Sequence, residues 1–207
     1  MSDHGAPTQC VVTLDLEGVL VPEIWIAVAE RTGVEGLRRT TRDEPDYDAL
    51  MRYRLDLLDR HDLGLDTITE VIAALRPLPG AVEFLDRLRE RTQVVLLSDT
   101  FEEFARPLMR QLSWPTLLCH RLEVTDGRIT GYRLRMPDQK RAAVEALQSL
   151  NYRVISAGDS YNDTSMLLAA DAGFLVHAPD PVRDEFSQLP AVDTLDDLAD
   201  RIIDALS

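Results

Sequence analysis

Short apolar runs of strand length recur along this chain, and most are apolar on successive residues rather than alternate ones. They cover residues 9–16 (QCVVTLDL), 93–99 (QVVLLSD), 115–120 (PTLLCH), 152–159 (YRVISAGD) and 172–178 (AGFLVHA). Such a strand has to be buried on both faces, which a parallel sheet between two helix layers provides. The intervening segments carry helical periodicity: 80–92, with Val82, Leu85 and Leu88 on one face, then 102–112, 140–150 and 194–206. This alternation predicts an α/β doubly wound fold around a mainly parallel sheet. Residues 122–134 differ, because two short runs flank Asp126-Gly127, a pair suited to a tight hairpin.

Residues 22–79 break the rhythm between the first strand and the second. Pro22 opens a helical stretch that Gly33 stops, and 47–64 and 65–75 add two further helices. A structureless loop of this length inside a compact domain is improbable, so the expectation is a small α-helical cap. The core domain is then 1–21 and 80–207, with residues 1 to about 8 expected to be disordered.

The charge balance of −14, from 22 basic and 36 acidic residues, argues against nucleic acid and anionic membranes as partners. No apolar run approaches the roughly 18 to 20 residues of a membrane helix, and the N-terminus lacks the pattern of a secretory signal. Cys10 and Cys119 make no disulfide framework and read as buried free thiols, which points to the cytoplasm. All basic residues but one are arginine; the exception is Lys140. Chance explains a lone lysine, and so does a site that needs a compact, point-like ammonium.

Ligands of open α/β sheets sit beyond the carboxyl ends of the strands. Here those ends carry Asp15 and Glu17, then Ser98-Asp99-Thr100, then Gly158-Asp159-Ser160-Tyr161-Asn162-Asp163, while Lys140 starts the helix before the last of these. Taken singly, each has a bland reading. Asp15 and Glu17 suit a polar turn, Thr100-x-x-Glu103 and Ser160-x-x-Asp163 suit helix caps, and Lys140 suits a solvated helix face. Jointly they suit phosphoryl transfer. Carboxylates from two strand ends, Asp15 and Asp159, can share a hard divalent cation such as Mg²⁺. A hydroxyl at a strand end and one ammonium can hold phosphate oxygens. A carboxylate can attack phosphorus, and a second acid can move the leaving proton. His61, His120 and His177 show no metal-ligand spacing and read as structural or surface residues.

Asp15-x-Glu17-Gly-Val-Leu, Ser98, Lys140 and Gly158-Asp159-x-x-Asn162-Asp163 together resemble the four motifs of the haloacid dehalogenase superfamily. The helical insertion, with Glu23 in VPEIW and Arg54 in MRYRLDLL, resembles the cap of its phosphoserine phosphatase branch. Glu17 in place of the usual aspartate, and Ser98-Asp99-Thr100 in place of serine and two glycines, resemble the homoserine phosphotransferase members. The resemblance implies Asp15 as nucleophile and Glu17 as acid/base. It implies Mg²⁺ on Asp15, the Glu17 carbonyl and Asp159, with Asp163 close behind. Ser98, Lys140 and Asn162 would serve the phosphoryl group, and Asp99 and Thr100 the substrate through backbone N–H. Glu23 would pair with the substrate ammonium and Arg54 with its carboxylate. Phosphoserine and homoserine are the implied small-molecule partners. A plain small-phosphomonoester phosphatase is the nearest alternative. A receiver-type signalling module would share the acids and the lysine but not the insertion.

Overall fold

The computed structural model describes residues 9–40, 43–44 and 46–206. The expected disordered segment at residues 1–8 lies outside the described residues. The strands are β1 (Cys10–Leu14), β2 (Gln93–Phe101), β3 (Thr116–Thr125), β4 (Arg128–Arg133), β5 (Arg153–Gly158), β6 (Ala172–Val176) and β7 (Ala191–Val192). They form one seven-stranded sheet in the order β4-β3-β2-β1-β5-β6-β7. Only β3–β4 is antiparallel among these neighbours. The chain leaves the central β1 for β2 and β3 on one side, then returns for β5, β6 and β7 on the other. The crevice of a doubly wound sheet therefore opens at the carboxyl end of β1.

The continuous apolar runs are explained by burial on both faces. Val12 and Leu14 of β1 pack with α4 (Ala81–Arg89) and α9 (Leu195–Ala205), while Val11 packs with α6 (Gln139–Ser149), α7 (Thr164–Ala169) and α8 (Asp180–Glu185). Each fully buried Val or Leu contributes about 1.5–3 kcal/mol. In sequence, β7 spans two residues and α8 six, too short for periodicity to reveal. The run at 115–120 and the first arm of the hairpin prove to be one strand. β3 pairs with β2 through Thr116–Leu118 and His120, and with β4 through Arg121–Thr125. Asp126 (φ 51°) and Gly127 (φ 77°) make the hairpin turn in the left-handed region.

The described residues between 24 and 74 include α1 (Ile24–Thr32), a 3₁₀ turn (Glu35–Arg38), α2 (Tyr47–Arg60) and α3 (Leu65–Ala74). Gly33 (φ 73°) ends α1 by donating its N–H to Ala29 O. The helix begins at Ile24 rather than at Pro22, because Glu17 Oε2 accepts the Ile24 N–H at 2.8 Å. Val28, Leu37, Met51, Ile68 and Ile72 share one apolar cluster with Leu14 and Leu16, so the helices are seated on the sheet's core. The two connecting segments meet where Leu78 N–H donates to Leu20 O. The β3–β4 hairpin reaches the helices as well. Leu65 N–H donates to Gly127 O at 2.8 Å, Arg128 pairs with Asp59 and Asp62, and Tyr132 donates to Asp48. Among the described residues Cys10 and Cys119 form no disulfide and are half-buried, less enclosed than their apolar neighbours suggest. Among the described residues, no helix is long and apolar enough to cross a membrane.

Candidate active site

Asp15 follows β1 directly, and its N–H donates to Ala157 O of β5, which fixes the chain as it leaves the sheet. Asp159 and Asp163 follow β5. The carboxylates of Asp15, Asp159 and Asp163 are buried, and one oxygen from each lies within 4.8 Å of the others. Gly18 (φ 78°) is required here. A Cβ at this position would stand 2.5 Å from Asp159 Oδ2.

Lys140, in the first turn of α6, enters this cluster with its side chain 2 % exposed. Its Nζ lies 2.8 Å from Asp15 Oδ1, 2.7 Å from Asp163 Oδ1 and 3.7 Å from Asp99 Oδ2. Burial alone would lower the ammonium's pKa, but the three aspartates outweigh it and hold it well above the usual lysine value. Asp15 is pushed well above the carboxylate range by burial, then by Asp163 and Asp159, with Lys140 opposing. The other Asp163 oxygen, Oδ2, accepts the N–H groups of Asp159 and Ser160 and the Ser160 hydroxyl. The capping box read from Ser160-x-x-Asp163 is thus real. Asp163 both shapes the loop that carries Asp159 and pairs with Lys140.

At the end of β2 the ladder breaks. Pairing with β1 ends at Leu96, and pairing with β3 skips from Leu97 to Phe101. Ser98 is buried, and its Oγ accepts the Thr100 N–H at 3.3 Å. Asp99 receives hydrogen bonds from Gln139 Nε2 (3.0 Å) and Asn162 Nδ2 (3.1 Å). Burial favours its neutral form, but Lys140, with hydrogen bonds from His120, Gln139 and Asn162, overrides this and holds the carboxyl well below the usual range. The Thr100-x-x-Glu103 box does not form. Phe101 takes the N-cap of α5 (Glu102–Gln111), and Glu103 instead accepts the Leu122 N–H.

Glu17 turns toward the helical insertion. Burial pushes its carboxyl up to about 7, with Glu23 adding to the rise and the Ile24 N–H, Thr100 and Arg54 opposing it. Arg54 is buried on α2, its guanidinium 4.6 Å from the Trp25 ring and one amino group donating to Arg39 O at 2.8 Å. Its Nε has no hydrogen-bond partner among the described residues. Burial brings its pKa down to about 10, with Tyr47, Glu17 and Glu23 opposing. Glu23 is exposed at the N-cap of α1. The residues singled out in the sequence therefore converge from β1, β2, β5, α6 and the insertion.

Others were not legible. Gln139 and Tyr47 carry no motif, Trp25 only closes VPEIW with no role of its own, and His120 read as structural. The fold buries His120 and Gln139 against Asp99 and stacks Trp25 under Arg54. Only adjacency to Lys140 hinted at Gln139. His61 and His177 are exposed, and the acidic cluster contains no histidine. A cavity of about 440 Å³ opens on the Asp99–Lys140 side, lined also by Tyr47, Asn162 and Tyr161.

Residues 11–171 match the family model described as haloacid dehalogenase-like hydrolase. The chain is 63% identical over 198 residues to the phosphoserine phosphatase ThrH of Pseudomonas aeruginosa, covering 95% of this chain and 97% of that protein. It is 64% identical over 197 residues to a phosphoserine phosphatase of Pseudomonas syringae pv. tomato, covering 94% and 83%. A substrate-bound phosphoserine phosphatase structure superposes with a TM-score of 0.76 at 20% identity, covering 90% of this chain and 93% of that one.

Proposed function

The chain belongs to the haloacid dehalogenase-like hydrolase family, and from that premise we propose a phosphatase that cleaves phosphoserine through a phosphoryl group carried on Asp15 and also passes that group to homoserine. The observation that carries the reading is the buried Asp15–Lys140–Asp163 cluster at the sheet's carboxyl edge, together with a buried guanidinium, Arg54, whose Nε has no partner among the described residues. The first feature suits phosphoryl transfer, and the second suits a substrate carboxylate.

The donor set fits a hard cation: oxygen ligands only, buried, and close enough that burial and mutual repulsion raise the Asp15 carboxyl. Asp15, Asp159 and the Glu17 carbonyl would hold Mg²⁺, with Asp163 orienting them from behind. When bound, the ion supplies neutralising charge to the phosphoryl oxygens.

The chain's own groups do the rest. An Asp15 oxygen bonds to phosphorus as the bond to the serine oxygen breaks. Glu17, with a pKa of about 7, gives its proton to that oxygen. Ser98, Lys140 and Asn162, with the Asp99 and Thr100 N–H groups, hold the phosphoryl oxygens. Glu23 takes the amino acid's ammonium and Arg54 its carboxylate. In the second half, Glu17 removes the acceptor's proton as its oxygen attacks phosphorus and Asp15 departs. Residues 22–79 act as the cap over the core of 1–21 and 80–207. Two cysteines that form no disulfide with each other support a cytoplasmic setting.

What supports transfer as well as hydrolysis is Glu17. Its carboxylate is anchored on the first N–H of α1, so the proton-transfer group is set by the element that also holds the amino acid. An alcohol bound beneath that element is better placed than free water. Incubation with phosphoserine and Mg²⁺, with and without homoserine, tests this. Phosphohomoserine should form at the expense of free phosphate; serine and phosphate alone would leave a plain phosphatase.

A further inference from the structure

The Ser98–Thr100 segment leaves the sheet ladder, so its peptide groups need other partners. Two carbonyls find them on side chains of neighbouring helices. Ser98 O accepts from Gln139 Nε2 at 2.6 Å, and Asp99 O accepts from Tyr47 Oη at 3.4 Å. In a planar trans peptide the C=O and the following N–H point opposite ways. A carbonyl pinned to one partner therefore turns the next N–H away from that partner. The second plane shows the consequence directly, since Thr100 N–H points to Ser98 Oγ at 3.3 Å.

Gln139 itself has no freedom to turn. It is 2 % exposed in the first turn of α6, beside Lys140. Its Oε1 accepts from Arg135 Nε at 3.1 Å, so the amino end must face Ser98 O and Asp99 Oδ1. His120 packs against the same amide. Its Nδ1 accepts the Arg135 N–H at 3.1 Å, and its Nε2 lies 3.5 Å from Asp99 Oδ1 and 3.4 Å from Gln139 Nε2. One side chain thus ties the helix that delivers the ammonium to the strand end that delivers the hydroxyl.

We propose that Gln139 is a positioning residue: by holding the Ser98 carbonyl it aims the Asp99 N–H at the phosphoryl position and turns Ser98–Thr100 into an anion cradle beside Lys140. This rests on the phosphoryl-transfer reading of Asp15. Gln139 touches no reacting atom; it acts through the peptide plane. A cradle complementary to the transferring group favours the transition state over the bound amino acid.

The test uses full-length enzyme with Mg²⁺, orthovanadate as the probe of the phosphoryl position, and free serine as the probe of the amino-acid position. Gln139→Met removes the donor at similar size. Gln139→Leu also removes the donor at similar size without adding charge, and gives a second variant. In both, kcat/KM for phosphoserine should fall about 10- to 100-fold, and the vanadate inhibition constant should rise by a similar factor. The serine inhibition constant should stay within about twofold, because its contacts lie elsewhere. Unchanged vanadate binding, or serine and vanadate weakening together, would overturn the proposal. A wild-type enzyme that neither cleaves phosphoserine nor binds vanadate would count against the functional reading itself, and active wild type with unaffected variants against Gln139 alone.

Discussion

Replacing Lys140 with methionine should cost the metal-free protein a large part of its stability. At an effective dielectric of about 20, an ammonium attracts each carboxylate at 2.7–2.8 Å by roughly 6 kcal/mol. Desolvation of the ions offsets much of that, and the measured cost of removing one partner of a buried pair is about 3–5 kcal/mol. Here the loss falls at the upper end, because Asp15, Asp99 and Asp163 all face Lys140 and two of them are nearly sealed from water. Against a total of about 5–15 kcal/mol, that is a third or more of the whole. The assay is urea and thermal unfolding in chelator, where a chain of this size should lose roughly 10 °C of melting temperature. Neutralising one carboxylate in the same background, Lys140→Met with Asp163→Asn, should restore about 2 kcal/mol. Mg²⁺ should stabilise Lys140→Met more than wild type, since the ion replaces a missing charge. A single variant within about 1 kcal/mol of wild type, or strict additivity with Asp163→Asn, would refute the claim that Lys140 neutralises this cluster.

Two further outcomes follow from the site. Arg54→Ala should lower kcat/KM for phosphoserine by about 10- to 100-fold but leave phosphoethanolamine, which lacks the carboxylate, within about threefold; equal losses on both would remove Arg54 from substrate recognition. Glu17 titrates near 4.5 when unfolded and near 7 when folded, so between those values the native state binds the extra proton. Its contribution to stability must therefore decline as pH rises through that window, by on the order of 3 kcal/mol, and level off above about 7. Glu17→Gln in chelator should flatten that part of the stability profile, and an unchanged slope would show that the carboxyl is not held protonated.

Sequence carries the sheet and the acids at its strand ends because both are local patterns. Continuous apolar runs report burial on two faces, and strand-end acids follow those runs without a gap. The lone lysine was a compositional signal, and the fold gives it a place: Nζ stands between two carboxylate oxygens at 2.7 and 2.8 Å in a space sealed from water. What stayed hidden depends on tertiary meeting points. Gln139 and His120 acquire meaning only when α6 and β3 close on Asp99. The break in β2 at Ser98–Thr100 is a pairing event, not a composition. Glu17 is an intermediate case. Its identity was visible, yet the reason for its length, reach to the Ile24 N–H, required the start of α1 to be in place.

The central claim is that Asp15 carries the phosphoryl group. The most direct measurement mixes enzyme, Mg²⁺ and phosphoserine, quenches in acid within one turnover, reduces with borohydride, and maps the modified residue by mass spectrometry. An acyl phosphate on Asp15 is reduced to the corresponding alcohol, so position 15 should read as homoserine, and Asp15→Asn should show neither the mark nor turnover. Rapid turnover with residue 15 unmarked, or a mark at Asp159 or Asp163 instead, would contradict the account.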